Sequence, residues 1–450
     1  MSKVASGKKW RLGFAAMLLS LVMAIAVACA SGENPTEGSP STDQAGGSAP
    51  RQAQPDSTPV ELTVLSTTNM AQEEIDTRLV GPMKSKHPNI TLNVLNNQGS
   101  KLEELVAAGQ TPDVILAASA MYMSRYGDLG LFFDMNPLIK KYQFDLNRLE
   151  PIVLKAIKSY SKNDELYALP YSTIGFALYY NKDIFDKFGV PYPKDGMTWE
   201  ETLTLARSLT RKADNIQYRG LAFQDVNGVA SPLSLNYVDP KTGKSTVNTD
   251  GWKEAFELVH SIISIPGNEP VDKSKRFDNN PFMADRNVAM FATVNLLANG
   301  FGKASEAGLN WDLVTYPTYK ERPGMWGQPD GQAVLITPSS KHKDQAFQLV
   351  ESILSDEAQA NMAKIGIMPA VTSPKVREVF GTSLSYSLNK NVGAFFKNKP
   401  APWRSNITKY DQNASQIMFT HYLDLYSGKD TNTILREAEE DVNAYIAKNP

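Results

Sequence analysis

A chain of 450 residues, 42% of them hydrophobic, is long enough to bury two cores of roughly 150 to 200 residues each and is neither a tail nor a fibre. The formal net charge is −2, and the first 28 residues carry Lys3, Lys8, Lys9 and Arg11 with no acid, so without those four cations the body stands at −6. A mildly acidic body excludes the clustered basic surface that nucleic acid needs and gives no electrostatic pull toward anionic lipid.

Behind the basic start, Leu12 to Ala28 is a run of 17 apolar or small residues closed by Ala26 and Ala28. This is the pattern of a secretory signal peptide, 1–28, and is short for a spanning helix, which needs about 20 residues. An uncleaved anchor is the alternative. The one cysteine of the chain, Cys29, follows at once. A single thiol in an exported chain has no internal disulfide partner, so it is idle, bridged to another chain, or modified. Ala26-Val27-Ala28-Cys29 resembles a bacterial lipobox, with Ala26 where Leu or Val is usual, and the resemblance implies lipidation at Cys29. Acyl chains hold a protein on its membrane at about 0.8 kcal/mol per buried methylene. Residues 30–58 contain no aromatic and no Val, Ile or Leu. Such a segment cannot offset its ordering entropy by burial, so 29–58 is expected to be an acylated, disordered tether of roughly 30 Å.

From Val60 the texture changes. VELTVLS predicts a strand, EEIDTRLVGPMKSKHP a helix closed at His87-Pro88, and NITLNVLN a second strand. A helix from Lys101 stopping at Gly109 and a third strand from Asp113 follow. Strands alternating with helices between tight Gly and Pro stops predict an α/β fold with a parallel sheet covered by helices. The run Ile174 to Tyr180 reads as extended and leads into a short helix ending at Gly189. Thr198 and Glu201 fit a capping box, after which Trp199, Leu203, Ala206 and Leu209 share one helix face.

These motifs resemble those of a known family. YYNKDIFDKFGVP followed by TWEETLTLARSLT is similar to the signature of the family 1 extracellular solute-binding proteins, the carbohydrate-binding lipoproteins and periplasmic proteins of ABC importers. AAGQTPDVIL, NPFMADRNVAMF, WDLVTYPTY, GQAVLITPSSKHKDQAFQLVESILSDEAQ and IGIMPA fall in the family's order, so the resemblance spans about Val60 to Pro450. It implies a two-lobe α/β fold, each lobe a mostly parallel sheet flanked by helices, with a ligand cleft between them. The chain would cross near Pro170, Gly331 and Gly366, making lobe 1 from 59–171 plus 332–368 and lobe 2 from 172–331 plus 369–450. It further implies a monomer without catalysis or cofactor that closes on a carbohydrate and delivers it to the transmembrane subunits of an ABC permease. The implied location is the extracytoplasmic face of the cell membrane, held there by the lipid anchor on Cys29.

Other chemistry finds little footing. His87, His260, His342 and His421 stand apart without paired spacing and there is no second cysteine, so no zinc-type metal site is expected. GFGKAS from Gly300 fails as a phosphate loop at Ser305, and no G-x-S-x-G elbow occurs. The adjacent acids Asp164-Glu165 and Glu200-Glu201 cannot flank a glycosidic bond, which needs carboxyls about 5 to 9 Å apart. Two distant acids meeting in the fold would make a secreted hydrolase. That alternative stays open, as do a surface adhesin or sensor and a binder of a non-sugar solute.

Sugar sites need aromatic faces for the apolar side of a pyranose and planar polar groups for its hydroxyls, carried on loops at the carboxyl ends of strands. Asn69 follows the first strand and reads equally as a helix cap. Tyr171 stands in the first crossing, with hinge packing as its other reading. Gln224 and Asp225, in AFQDVNG, lie where the resemblance places a sugar-binding acid, or else form a turn. Asn295 occupies the loop after VAMF, without the tryptophan that relatives show there. Trp326 in RPGMWGQPDG and Trp403 in APWRSN lie in loops that cannot bury a ring alone, so a ligand or the neighbouring lobe must cover them. Trp199, Trp252 and Trp311 begin periodic elements and read as core. Maltodextrin binders carry a tryptophan and an acid after TPDVIL, whereas Ala117 to Tyr122 stand here; a different glycan is expected, with Tyr122 at its rim.

Overall fold

The alternating run from Val60 folds as a strand because Leu62, Val64 and Leu65 can all be withdrawn from water on a sheet, and each is fully buried in the computed structural model. The structure describes residues 58–119, 123–161, 163–270, 272–273, 278–328, 330–404 and 407–449. The expected signal peptide, Cys29 and its tether up to residue 57 lie outside the described residues, as does Tyr122. In chain order the strands are β1 (Val60–Ser66), β2 (Ile90–Leu95), β3 (Val114–Ala117), β4 (Leu169–Thr173), β5 (Phe176–Asn181), β6 (Arg211–Ala213) and β7 (Ile216–Phe223). After the short β8 (Val238–Asp239) and β9 (Lys244–Ser245) come β10 (Val288–Val294), β11 (Trp311–Thr315), β12 (Met325–Trp326), β13 (Gly331–Ile336) and β14 (Lys399–Pro400).

Two five-stranded sheets result, in the orders β2-β1-β3-β13-β4 and β11-β5-β10-β7-β6. In the first, β1 pairs in parallel with β2 and β3, and β13 runs antiparallel to both β3 and β4, so β1 to β4 share one direction. In the second, β7, β10 and β11 run one way and β5 and β6 the other. The reversed strands have a common cause in β5 and β13, because each enters its sheet from the other one. Pairing of Gly331 with Thr173 sets the start of β13 beside the end of β4. In the second sheet, Phe176 opposite Val294 and Ala177 opposite Thr315 set the start of β5 beside the ends of β10 and β11. The carboxyl ends of both sets of strands therefore face the crossings. This is the two-lobed α/β arrangement expected, with each sheet flanked by helices.

Local signals carry through with one change. The helix expected over the EEIDTRLVGPMKSKHP stretch is α-helical at Gln72–Ile75 and Gly81–Lys86 but π-helical at Asp76–Val80. Pro82 has no N–H for the preceding turn, and a widened turn accommodates the missing bond. The helix Lys182–Phe188 stops at Gly189, whose φ of 65° suits glycine. The capping box at Thr198 and Glu201 is formed, and the helix it starts, Trp199–Leu209, buries Trp199, Leu203, Ala206 and Leu209. That helix meets β7 at Gly220, where a Cβ would stand 2.0 Å from the Ala206 carbonyl oxygen.

The second sheet is buried on both faces: along β5, Ala177 and Tyr179 belong to one core, Leu178 and Tyr180 to another. The crossings are tied to each other by backbone bonds. Ile174 N donates to Asp330 O at 2.9 Å and Thr173 N to Met368 O at 3.0 Å. Past Gly366 the chain runs beside the helix Pro151–Lys158, with Glu150 N bonded to Ala370 O and Thr372 N to Arg148 O. Fully buried Gln359 bonds both the Tyr171 carbonyl and the Ala370 amide.

Candidate functional site

Where β7 ends, Gln224 leads into Asp225, which is 1% exposed and caps the short helix Val226–Ala230 by accepting from Gly228 N at 2.8 Å. This turn forms one wall of a cavity of about 440 Å³, within the range of small-molecule sites. The crossings supply a second wall through Ile174, Phe176, Gln328 and Asp330. The amino-terminal turns of the helix Asp411–Tyr422 supply a third, with Gln412, Asn413 and Gln416. Ser119, just past β3, reaches it from the first sheet. Aromatic rings at Phe176, Tyr237, Trp252 and Trp403 line the space.

The polar groups are held by a network. Asn227 donates to the Ser415 carbonyl at 3.2 Å and accepts from the Tyr237 hydroxyl at 2.9 Å. Trp252 Nε1 donates to Asn236 O, which fixes its indole. Ser231 Oγ accepts from Gln328 N, and the Gln328 carboxamide donates to Pro402 O. Arg404 is only 7% exposed, with its guanidinium carbon 4.9 Å from the Tyr237 ring centre and 5.5 Å from that of Trp403. Its Nε lies 3.2 Å from Asp411 Oδ2. Burial pushes the Asp411 carboxyl up, against the pull of Arg404 and Thr408. Burial likewise raises the phenol of Tyr160, which follows the helix Pro151–Lys158 and feels the charges of Arg404, Asp330 and Asp411.

Of the residues singled out in the sequence, the structure brings Gln224, Asp225 and Trp403 together on this cavity. Four others stand off it. Asn69 is exposed beside Asn96 and does not cap the helix from Gln72, whose N-cap position is Ala71. Tyr171 is buried in the core with Arg78 5.0 Å over its ring, which is the hinge-packing alternative. Asn295 spends both ends of its carboxamide locally, donating to Gly366 O and accepting from Leu297 N. Trp326 is 6% exposed because Phe176 packs against it at 5.8 Å; it lines a separate cavity of about 70 Å³ and backs a ring that does face the main one. Sequence reasoning missed Arg404 as a site residue, along with Tyr237, Asn227, Gln328 and Gln412. The one available signal was the adjacency of Arg404 to Trp403.

Away from the cavity, His421, Asp424 and Glu437 bring ligand atoms within 4.8 Å of one another. Lys429 Nζ already bonds Asp424 at 2.6 Å and Glu437 at 2.9 Å, so an ammonium supplies the positive charge there.

Residues 67–360 match the bacterial extracellular solute-binding protein family. A Brucella abortus protein described as a binding protein is 23% identical over 300 residues, 63% of this chain and 68% of that one. The diacetylchitobiose binding protein NgcE of Streptomyces coelicolor is 19% identical over 314 residues, 65% of this chain and 66% of that one. Among solved structures, an ABC substrate-binding protein of Listeria monocytogenes, in complex with cycloalternan, shares the fold with a TM-score of 0.70 at 21% identity, covering 86% of this chain and 99% of that one.

Proposed function

Because this chain belongs to the bacterial extracellular solute-binding proteins, we propose that it is the solute-binding component of an ABC importer and holds a carbohydrate, an oligosaccharide by the size of the cavity, between its two lobes. One observation carries the reading. The cavity combines the rings of Phe176, Tyr237, Trp252 and Trp403 with the planar side chains of Gln224, Asn227 and Gln328. Rings cover the apolar face of a pyranose, while carboxamides offer a donor and an acceptor to its hydroxyls. That two similar proteins are named for or solved with glycans supports the same class.

In this reading Gln224, Asp225 and Trp403 contact the sugar directly. Tyr171, Asn295 and Trp326 act on the crossings and on Phe176, and Asn69 lies at the outer margin of the first lobe. Binding shifts an open form toward a closed one, with the Ile174, Asp330 and Gly366 crossings as hinges, and the closed form is delivered to the permease. The lobes are assigned as 59–171 plus 332–368 and 172–331 plus 369–450, and the chain is anchored through acylated Cys29 on the outer face of the membrane.

A glycan library screened by thermal shift tests the ligand class. A sugar at 100 times its dissociation constant should stabilise the fold by about 2.7 kcal/mol. Stabilisation by another solute class and by no sugar would refute the carbohydrate reading. Mass spectrometry of the natively purified protein, finding an acylated amino-terminal Cys29, tests the anchor separately.

A further inference from the structure

The sequence holds two Asn-Gly pairs, Asn227-Gly228 and Asn299-Gly300, and the structure treats them in opposite ways. An asparagine before a glycine is open to attack on its side-chain carbon by the next backbone nitrogen, because glycine brings no Cβ to crowd the approach. Whether the attack happens then depends on the local backbone and on what each group already bonds.

Asn227 and Gly228 lie on the cavity wall, inside the helix Val226–Ala230. A helical ψ of about −42° holds the next nitrogen out of line with the side-chain carbon, and closing a five-membered ring needs a different value. The N–H of buried Gly228 is spent on Asp225 Oδ1 at 2.8 Å. Both ends of the Asn227 carboxamide are held as well, by the Ser415 carbonyl at 3.2 Å and the Tyr237 hydroxyl at 2.9 Å. Every reacting group there is engaged elsewhere.

Asn299 and Gly300 are exposed and stand just before the helix Phe301–Glu306. Upstream the loop is pinned to the crossings, since Asn295 donates from its backbone to Gly175 O and from its carboxamide to Gly366 O, and the Tyr386 hydroxyl donates to Leu297 O. The pinning ends where Asn299 N donates to Leu296 O at 2.8 Å. Beyond it, neither the Asn299 carboxamide nor the Gly300 N–H has a hydrogen-bond partner among the described residues. Gly300 has a φ of 101°, outside the helical well.

We propose that Asn299-Gly300 is a site of spontaneous deamidation, and that the cap at Asp225 together with the contacts of Asn227 shields the same dipeptide in the cavity wall. Gly300 N attacks Asn299 Cγ and gives its proton to water; the bond from Cγ to the carboxamide nitrogen breaks, and that nitrogen leaves as ammonia with a proton returned by water. Water then adds to either carbonyl of the cyclic imide and opens it. One opening leaves aspartate, and the other leaves isoaspartate, with the main chain rerouted through the side chain. One water is consumed, one ammonia is released, and no electron changes hands. At Asn227 the shield preserves a donor and an acceptor on the binding face, where the reaction would leave a carboxylate.

The test is incubation of the whole mature chain in heavy-oxygen water at mildly alkaline pH, read by peptide mapping with mass spectrometry and by isoaspartyl methyltransferase labelling. In the native protein the peptide bearing residue 299 should lose its amide, take up heavy oxygen and become a methyl acceptor. Reaction at residue 227 requires three hydrogen bonds to open and should be at least about a hundredfold slower. In denaturant the shield is gone, so the two rates should converge to within about threefold. Asp225→Ala frees the Gly228 N–H and should speed the native reaction at residue 227. An intact amide at Asn299 in the native chain, after the denatured chain has reacted, overturns the site. Equal native rates, a gap that persists in denaturant, or an unchanged rate at residue 227 in Asp225→Ala overturns the shield.

Discussion

Gln359, fully buried in the helix Asp356–Lys364, donates from Nε2 to the carbonyl of Tyr171 at 3.0 Å. Its other atom, Oε1, accepts from Ala370 N at 2.8 Å, so one carboxamide joins the first crossing to the third. Replacing it with Met keeps the volume and strands the partners. Each buried backbone group left unpaired costs about 1 to 3 kcal/mol, so Gln359→Met should lower the denaturant midpoint by an equivalent of at least about 2 kcal/mol. A midpoint within error of the parent would show that the crossings are held elsewhere.

Arg404, on the cavity wall, has its Nε 3.2 Å from Asp411 Oδ2, and both residues are almost withdrawn from solvent. Asp411→Asn leaves the guanidinium without its counter-charge and should destabilise the fold by about 3 to 5 kcal/mol. Joint replacement by Met and Leu should cost less than that single change. Urea unfolding of the three chains decides it.

Acid titration should separate Asp195 from Asp411. Burial pushes the Asp195 carboxyl up, but Lys397, the backbone N–H of Thr315 and Asn391 together take it below the usual aspartate value. A lowered folded pKa gives stability that is present above the unfolded pKa and lost as pH falls through the folded one. Asp195→Asn should therefore flatten the loss of thermal stability below about pH 4. The raised carboxyl of Asp411 works with the opposite sign, since the folded state takes up its proton first. Its contribution shrinks as pH rises from the ordinary aspartate range through the folded value.

At Gly220 an added methyl would meet three backbone atoms of Ala206, at 2.0 to 2.5 Å. The helix cannot yield as a side chain would. Gly220→Ala should destabilise by about 3 kcal/mol or more, whereas Gly393→Ala, where nothing lies within 4 Å, should stay within about 1 kcal/mol. Equal melting temperatures for the two variants would contradict the packing described.

The cap at Asp225 offers a finer measurement. Asp225→Ala removes the bond to Gly228 N and should cost about 1 kcal/mol, while Asp225→Asn retains a capping oxygen and should cost less. Calorimetric melting of both resolves the difference.

What could be read in the sequence follows from how local each signal is. The capping box at Thr198, the stop at Gly189 and the alternation in VELTVLS are set by residues within a few positions of one another, and all three are present. The reversal of β13 within the first sheet depends on where the chain returns after some 150 residues in the other lobe, which no short pattern encodes. Trp326 shows the same limit at the site. Its loop cannot bury an indole, yet Phe176, far earlier in the chain, does. Trp252 was legible as core from its periodicity, but the edge it turns to the cavity was not, because that depends on Tyr237 and Asn236 folding back against it. Gln224 and Asp225 were singled out through the family resemblance, which places a sugar-binding acid at that point of the chain, and the structure sets both on the cavity.

The insertion of β13 between β3 and β4 also fixes an order of assembly at the ribosome. All five strands of the second sheet have been made once Thr315 is joined, whereas β4 has no neighbour in its sheet until 331–336 emerge. The sheet that is begun first is thus completed second. Until then its growing chain carries an unclosed apolar edge at Leu169, so chaperone demand should peak while the middle of the message is being read.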